Sequence, residues 1–113
     1  MARRYRLEGR LWIQGPEGTL LGYGRVVLLE RIREHGSISA AARSMDMSYR
    51  HAWDLVDAMN RHGRQPMVEK STGGRGGGGA VVTEAGERAI DCFWSAYREF
   101  RTFLAERSRG LDL

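Results

Sequence analysis

The spacing of apolar and polar residues changes along this chain from a two-residue period to a period of three to four. In residues 5–13, apolar side chains alternate with arginine and glutamate, which is the pattern of a strand with one buried face. Residues 15–18 read GPEG and have the composition of a turn. Residues 19–21 can return as a second strand, so we predict an N-terminal hairpin over residues 4–22.

Residues 25–62 follow the helical period and predict three consecutive helices. The first should stop at Gly36, because glycine readily takes the left-handed conformation that ends many helices. Ser37 and Ser48 are expected to cap the second and third helices, with Asp46 in the turn between them. The third helix should bury the stripe Ala52, Leu55, Val56 and Met59. A short helix, a tight turn and a longer helix are typical of a helix-turn-helix motif.

The segment KSTGGRGGGGAVVT, residues 70–83, contains six glycines and one arginine between its two ends. Residues 74–79 fit the glycine spacing of a dinucleotide-binding turn, but that turn must open a helix, and the strand-like AVV follows here. A phosphate-binding loop also fails, because its lysine follows the last glycine whereas Lys70 precedes the run. A flexible linker remains open. The flanking apolar segments favour a wing over residues 67–82, a hairpin whose bare backbone can approach DNA.

The last predicted helix, residues 84–107, carries an apolar stripe that is too long for a small winged domain to cover. A helix of about 24 residues is roughly 36 Å long at ~1.5 Å per residue. We therefore predict that this helix pairs two copies into a homodimer. The expected interface residues are Ile90, Phe93, Trp94, Tyr97, Phe100 and Leu104.

These elements predict an α+β, mainly helical fold: a single winged helix-turn-helix domain over residues 1–113, with an N-terminal β-hairpin and a long C-terminal dimerisation helix. Composition is compatible with this, since 42% of the residues are hydrophobic and 28% charged. The net charge is +4, and it is uneven. Residues 1–79 carry 13 basic against 8 acidic side chains, whereas residues 80–113 carry 5 against 6. A basic front part is typical of a surface that binds a polyanion.

Other function classes find little support in the sequence. The three histidines and the single Cys92 lack metal-ligand spacing, and no catalytic set can be assembled, so we expect no cofactor, no metal and no enzyme activity. One cysteine cannot form an intrachain disulfide, and no segment approaches the roughly 20 apolar residues of a membrane span. With no signal peptide visible, we expect a cytoplasmic protein without membrane contact.

Two segments carry a more specific signal. SYRHAWDLVDAMN (48–60) and VEKSTGGRGGGGAVVTEAGERAI (68–90) resemble the DNA-binding half of the molybdate-responsive regulators of the ModE family. GSISAAARSMDMS (36–48) resembles the helix-turn-helix that this family shares with LysR-type regulators. The resemblance implies sequence-specific binding of duplex DNA by a homodimer. It also implies that a recognition helix over residues 48–61 enters the major groove and that a wing over residues 70–80 lies on the backbone or minor groove.

The resemblance places the DNA contacts on the helix-turn-helix and the wing. Arg50 is the expected base contact, because a guanidinium can pair with a guanine edge at two points, although a plain phosphate contact remains open. Trp53 is expected mainly in the core, and the serines mainly as helix caps. The expected DNA-binding residues are Ser37, Ser39, Arg43, Ser48, Tyr49, Arg50, Trp53, Lys70, Thr72, Gly73, Gly74, Arg75 and Gly76.

An alternative from another class is a winged-helix module that binds a partner protein instead of DNA, which the acidic Asp54 and Asp57 keep open. Members of the ModE family also carry oxyanion-binding modules after the DNA-binding half, whereas this sequence stops at Leu113. We therefore expect no molybdate site in this chain. Control would then come from the expression level or from a separate effector-binding partner chain.

Overall fold

The computed structural model describes residues 5–71 and 78–113 and has the element order of a winged helix-turn-helix. Two antiparallel hairpins flank the first three helices, and a long helix closes the chain. The α+β, mainly helical fold class is therefore confirmed. The elements are β1 Trp12–Gly15, β2 Gly18–Gly22, α1 Tyr23–His35, α2 Ile38–Ser44, α3 Tyr49–His62, β3 Val68–Lys70, β4 Ala80–Val82 and α4 Glu84–Arg109.

The N-terminal hairpin is shorter than the alternating pattern predicts. β1 begins at Trp12, and residues 5–11 form no strand. The reason lies in the partner: β2 pairs Gly22 with Trp12, and the chain then enters α1 at Tyr23, so residues before Trp12 have no strand beside them. The prediction of a strand over residues 5–13 is therefore wrong for all but its last two residues.

The helix-turn-helix forms as the sequence predicts, because its signals are local. Gly36 ends α1 in the left-handed conformation at φ 76°. The hydroxyls of Ser37 and Ser48 accept from the backbone N–H groups three residues later, at 3.0 and 3.1 Å, and so cap α2 and α3. Asp46 takes the left-handed turn position at φ 51°.

The core lies where α1 meets α2, α4 and the strands β2 and β4, and α3 adds its buried stripe to it. Four α1 side chains, Val26, Leu28, Leu29 and Ile32, are fully buried. Of the predicted α3 stripe, Ala52, Val56 and Met59 are buried and Leu55 packs against them partly exposed. Burying one such side chain stabilises the fold by about 1.5–3 kcal/mol, so α1 is its central element.

Much of the apolar stripe on α4 is covered by the chain itself. Ile90 and Phe93 belong to the core at 2% and 0% exposure. Trp94 and Tyr97 pack against that core, and both rings contact Tyr23 of α1.

The second half of α4 is covered by the segment before β1. Gly9 lies so close to the ring of Phe100 that an added Cβ would stand 2.9 Å from it. The backbone N–H of Leu7 donates to Ser108 Oγ at 2.7 Å, and Leu104 nearby is 8% exposed. The expectation that this stripe lacks cover within the chain is therefore wrong, and Ile90, Phe93 and Leu104 present no open surface to a partner.

Candidate nucleic-acid interface

The first turns of α3 present large side chains outwards while the opposite face of the helix is buried. Tyr49 and Trp53 are 55% and 42% exposed, and the Arg50 side chain is 83% exposed. The expectation that Trp53 lies mainly in the core is wrong. Trp53 stands one residue after the buried Ala52, and one residue turns an α-helix by about 100°, which carries the indole out of the buried stripe.

A cleft of about 400 Å³ separates this exposed face from the base of the second hairpin. Its walls bring together four of the sequence-predicted DNA-binding residues, from α2, α3 and β3. These are Ser39, Tyr49, Trp53 and Lys70. The described structure therefore joins the helix-turn-helix and the strand that leads into the wing in one surface.

Hydrogen bonds from two helices hold the second hairpin in place. Asn60 Oδ1 accepts from the backbone N–H groups of Met67 and Val68 at 2.8 and 3.1 Å, and Asn60 Nδ2 donates to the Val68 carbonyl at 3.0 Å. On the other strand, the Ala80 N–H donates to the carbonyl of Gly36 at 2.8 Å. The hairpin is therefore held to α3 on one edge and to the end of α1 on the other.

Asn60 was missed by the sequence reasoning. It follows Val56 by four residues, so it lies at the edge of the buried helix face. A polar side chain in such a place needs a hydrogen-bond partner, and this is the signal that the sequence offered.

The arginine side chains near this surface have different partners. Arg50 Nε lies 3.2 Å from Asp54 Oδ1, and Arg61 Nε lies 2.9 Å from Asp57 Oδ2. Arg43 of α2 is exposed and donates to the hydroxyl of Ser39 at 2.8 Å.

Lys70 is exposed, and its ammonium has no ion pair with another side chain in residues 5–71 and 78–113. The other expected wing contacts lie outside the described residues. These are Thr72, Gly73, Gly74, Arg75 and Gly76.

The strand after the glycine-rich segment argues against a dinucleotide-binding turn. Ala80–Val82 is a strand, and α4 begins only at Glu84. The helix that a dinucleotide-binding turn requires is therefore not where that interpretation needs it. In the part of the chain that the structure describes, no group of three or more metal-ligating side chains comes together, and no helix is long and apolar enough to cross a membrane.

Residues 24–87 match the model of the bacterial regulatory helix-turn-helix proteins of the lysR family. The chain belongs to this LysR-type family. The matched range runs from α1 through the recognition-helix candidate α3 and the second hairpin into the first turn of α4. It therefore includes every described residue of the interface above.

Curated relatives extend the similarity of this LysR-type domain beyond that range. It is 43% identical over 96 residues to the molybdenum-pterin-binding protein MopB of Rhodobacter capsulatus, covering 85% of this chain and 36% of that protein. It is 36% identical over 107 residues to the molybdenum transport protein ModE of Azotobacter vinelandii, covering 95% of this chain and 40% of that protein.

A third relative carries a regulatory name. The DNA-binding transcriptional dual regulator ModE of Escherichia coli K12 is 45% identical over 69 residues, which are 61% of this chain and 26% of that protein. The LysR-type chain thus spans no more than 40% of the length of these relatives. The resemblance to the ModE regulators is confirmed for this part.

Proposed function

We propose that this protein regulates transcription by binding duplex DNA sequence-specifically, with α3 in the major groove. The observation that carries the proposal is the exposed Arg50, flanked by Tyr49 and Trp53 at the start of α3. The first turns of the second helix are the part of a helix-turn-helix that reaches base edges. Membership of the LysR-type family supports the same function.

The removal of the Arg50 guanidinium tests this function. We expect Arg50→Ala to cost about 1–3 kcal/mol on a selected duplex and to relax preference at one base pair, because a bidentate guanine contact contributes about that much discrimination. The measurement is fluorescence anisotropy on selected and random duplexes at fixed salt.

Arg61→Ala is the matched control, since Arg61 is also paired with a carboxylate four residues away but stands in the last turn of α3. An equal loss on selected and random DNA would make Arg50 a phosphate contact. Wild-type protein that binds no duplex would contradict the function itself.

We propose that the wing adds contacts to the DNA backbone or minor groove. Lys70 is exposed at the cleft, and Arg75 follows within the glycine-rich segment. Cations at such positions neutralise phosphates, and each phosphate contact adds about one unit to the slope of affinity against salt. The salt dependence of binding to random DNA therefore measures this contribution.

We also propose a homodimer, formed through a face of α4 that the chain itself leaves open. Cys92, Ala96, Glu99 and Phe103 are exposed and recur at steps of four, three and four residues, so they share one face of the helix. Two of them are small, which lets helices approach closely. Phe103 is 47% exposed and supplies an apolar contact. Two copies can read two half-sites, which one copy cannot.

A bulky side chain at a small position of this open face should separate the copies. We expect Ala96→Arg to raise the dimer dissociation constant about tenfold or more, because a long side chain in place of alanine holds the partner helix away, and overpacking costs about 1–3 kcal/mol. Sedimentation velocity across a concentration series measures it. Ser95→Arg places the same side chain one residue away, outside this face, and should leave the dimer intact. A wild-type monomer at high micromolar concentration would contradict the proposal.

The ion pairs of Asp54 and Asp57 weaken the alternative that this domain binds a partner protein instead of DNA. Asp54 and Asp57 each form an ion pair with an arginine four residues away on the same helix. The exposed side of α3 is thus not an acidic surface awaiting a basic partner.

A further inference from the structure

Asp54 lies one turn after Arg50 on the exposed side of α3. Arg50 Nε donates to Asp54 Oδ1 at 3.2 Å, and Arg50 Cζ lies 5.9 Å from the centroid of the Trp53 ring. The guanidinium is thus approached from its Nε side and over one face, yet the Arg50 side chain stays 83% exposed. These contacts restrain the cation without covering it.

We propose that Asp54 is a positioning residue that directs Arg50 to a guanine base instead of a phosphate. The inference rests on the proposed function, because it assumes that α3 enters the major groove. A guanine presents O6 and N7 side by side, and two parallel N–H groups match them. With Nε engaged by Asp54, the two terminal nitrogens of the guanidinium remain free to supply that pair.

The carboxylate also opposes the competing phosphate contact. A phosphate that approached Arg50 would meet the negative charge of Asp54, and like charges at close range weaken such a contact. A guanine edge carries only partial charges and meets a smaller penalty. Phosphate contacts carry no sequence information directly, so suppressing them raises the share of binding that depends on sequence.

Ordering a long side chain before binding contributes as well. An arginine loses rotamer freedom when it is fixed at an interface, and part of that loss has already occurred where an ion pair and an aromatic ring restrain it. Only a contact that fits the restrained orientation of Arg50 gains binding free energy from this ordering. This is therefore a gain in discrimination between base pairs and not in general affinity.

Asp57 provides the matched comparison. It pairs with Arg61 in the same four-residue arrangement, about one turn further along α3, and lines the cleft beside Tyr49 and Trp53, whereas the carboxylate paired with Arg50 is that of Asp54. Asp54→Asn and Asp57→Asn each remove one negative charge from the same helix and keep the side-chain size. General electrostatic repulsion of DNA predicts a similar change in affinity for both variants, whereas positioning of Arg50 predicts that Asp54→Asn alone lowers the ratio of selected to random affinity.

The experiment starts from a duplex selected by the wild-type chain out of a random pool, followed by substitution of each base pair. We expect Asp54→Asn to lower the ratio of selected to random affinity about two- to tenfold, with the loss at the base pair that Arg50→Ala also affects. Asp57→Asn should strengthen binding to both duplexes together and leave the ratio unchanged. Thermal melting by circular dichroism checks that each variant is folded.

A double-mutant cycle completes the test. In the Arg50→Ala background, Asp54→Asn should no longer change the ratio, because its effect acts through Arg50. An unchanged ratio in Asp54→Asn alone, or an equal change in Asp57→Asn, would overturn the positioning role. A wild-type chain that selects no duplex would instead overturn the proposed function, and this outcome is read from the wild-type protein before any variant is measured.

Discussion

Phe93→Ala is expected to lower the free energy of unfolding by about 3–5 kcal/mol, the range for removing a fully buried aromatic ring. Phe93 is 0% exposed, its ring stacks on Tyr97 with centroids 5.8 Å apart, and it meets Trp94 edge-on at 5.3 Å. The loss includes the burial of the ring and a cavity between α4 and the core. Urea denaturation followed by tryptophan fluorescence and circular dichroism measures it.

The control makes the same chemical change on an exposed face of the same helix. Phe103 is 47% exposed, so Phe103→Ala should change the stability of the folded monomer by about 0.5 kcal/mol or less, as most surface substitutions do. Its effect should appear in the dimer equilibrium. Equal small losses of stability at both positions would show that Phe93 is not held in the core of its own chain.

The sequence predicted the apolar stripe of α4 but not the residues that cover it. The spacing of aromatic residues correctly predicted a long helix with an apolar stripe from Ile90 to Leu104. What covers a stripe depends on residues distant in the chain, and periodicity contains no information on them. Here the covering groups are Tyr23 of α1 and residues 7–9 of the N-terminal segment.

The N-terminal segment is a second case in which the sequence pattern did not reveal the packing partner. Its alternation reflects packing, but a strand also needs a neighbouring strand for its backbone groups. β2 is too short to pair with residues before Trp12. Those residues lie along the second half of α4 instead, where the Leu7 N–H finds the hydroxyl of Ser108.

The helix-turn-helix could be predicted well because its determinants are close in sequence. Gly36, Ser37 and Ser48 act on backbone groups within four residues of themselves. The candidate site was predicted less completely. Exposure of Arg50 and Tyr49 follows from the helix period, whereas the restraint of Arg50 by Asp54 and Trp53 depends on side-chain geometry.

The second large effect concerns Asn60, which joins the candidate recognition helix to the wing. Asn60→Ala leaves the N–H groups of Met67 and Val68 and the Val68 carbonyl without their partners. Met67 and Val68 are 6% and 5% exposed, so water reaches these groups only in part, from the cleft that Asn60 and Val68 line. Each unsatisfied buried group costs about 1–3 kcal/mol, and after partial rehydration we expect a total loss of about 2–4 kcal/mol.

The loss of stability should first affect the second hairpin, and hydrogen exchange can detect this. The amide protons of Met67 and Val68 should lose protection before those of α1, since the hairpin can separate from α3 while the core of α1 stays packed. Gln65→Ala serves as control: it removes an exposed amide with one bond to Arg88 at 3.2 Å and should cost about 0.5 kcal/mol or less. If Asn60→Ala matched that control in stability and exchange, the hairpin would be held to α3 by apolar packing alone. If instead it weakened DNA binding more than it weakened the fold, the geometry between α3 and the wing would itself contribute to recognition.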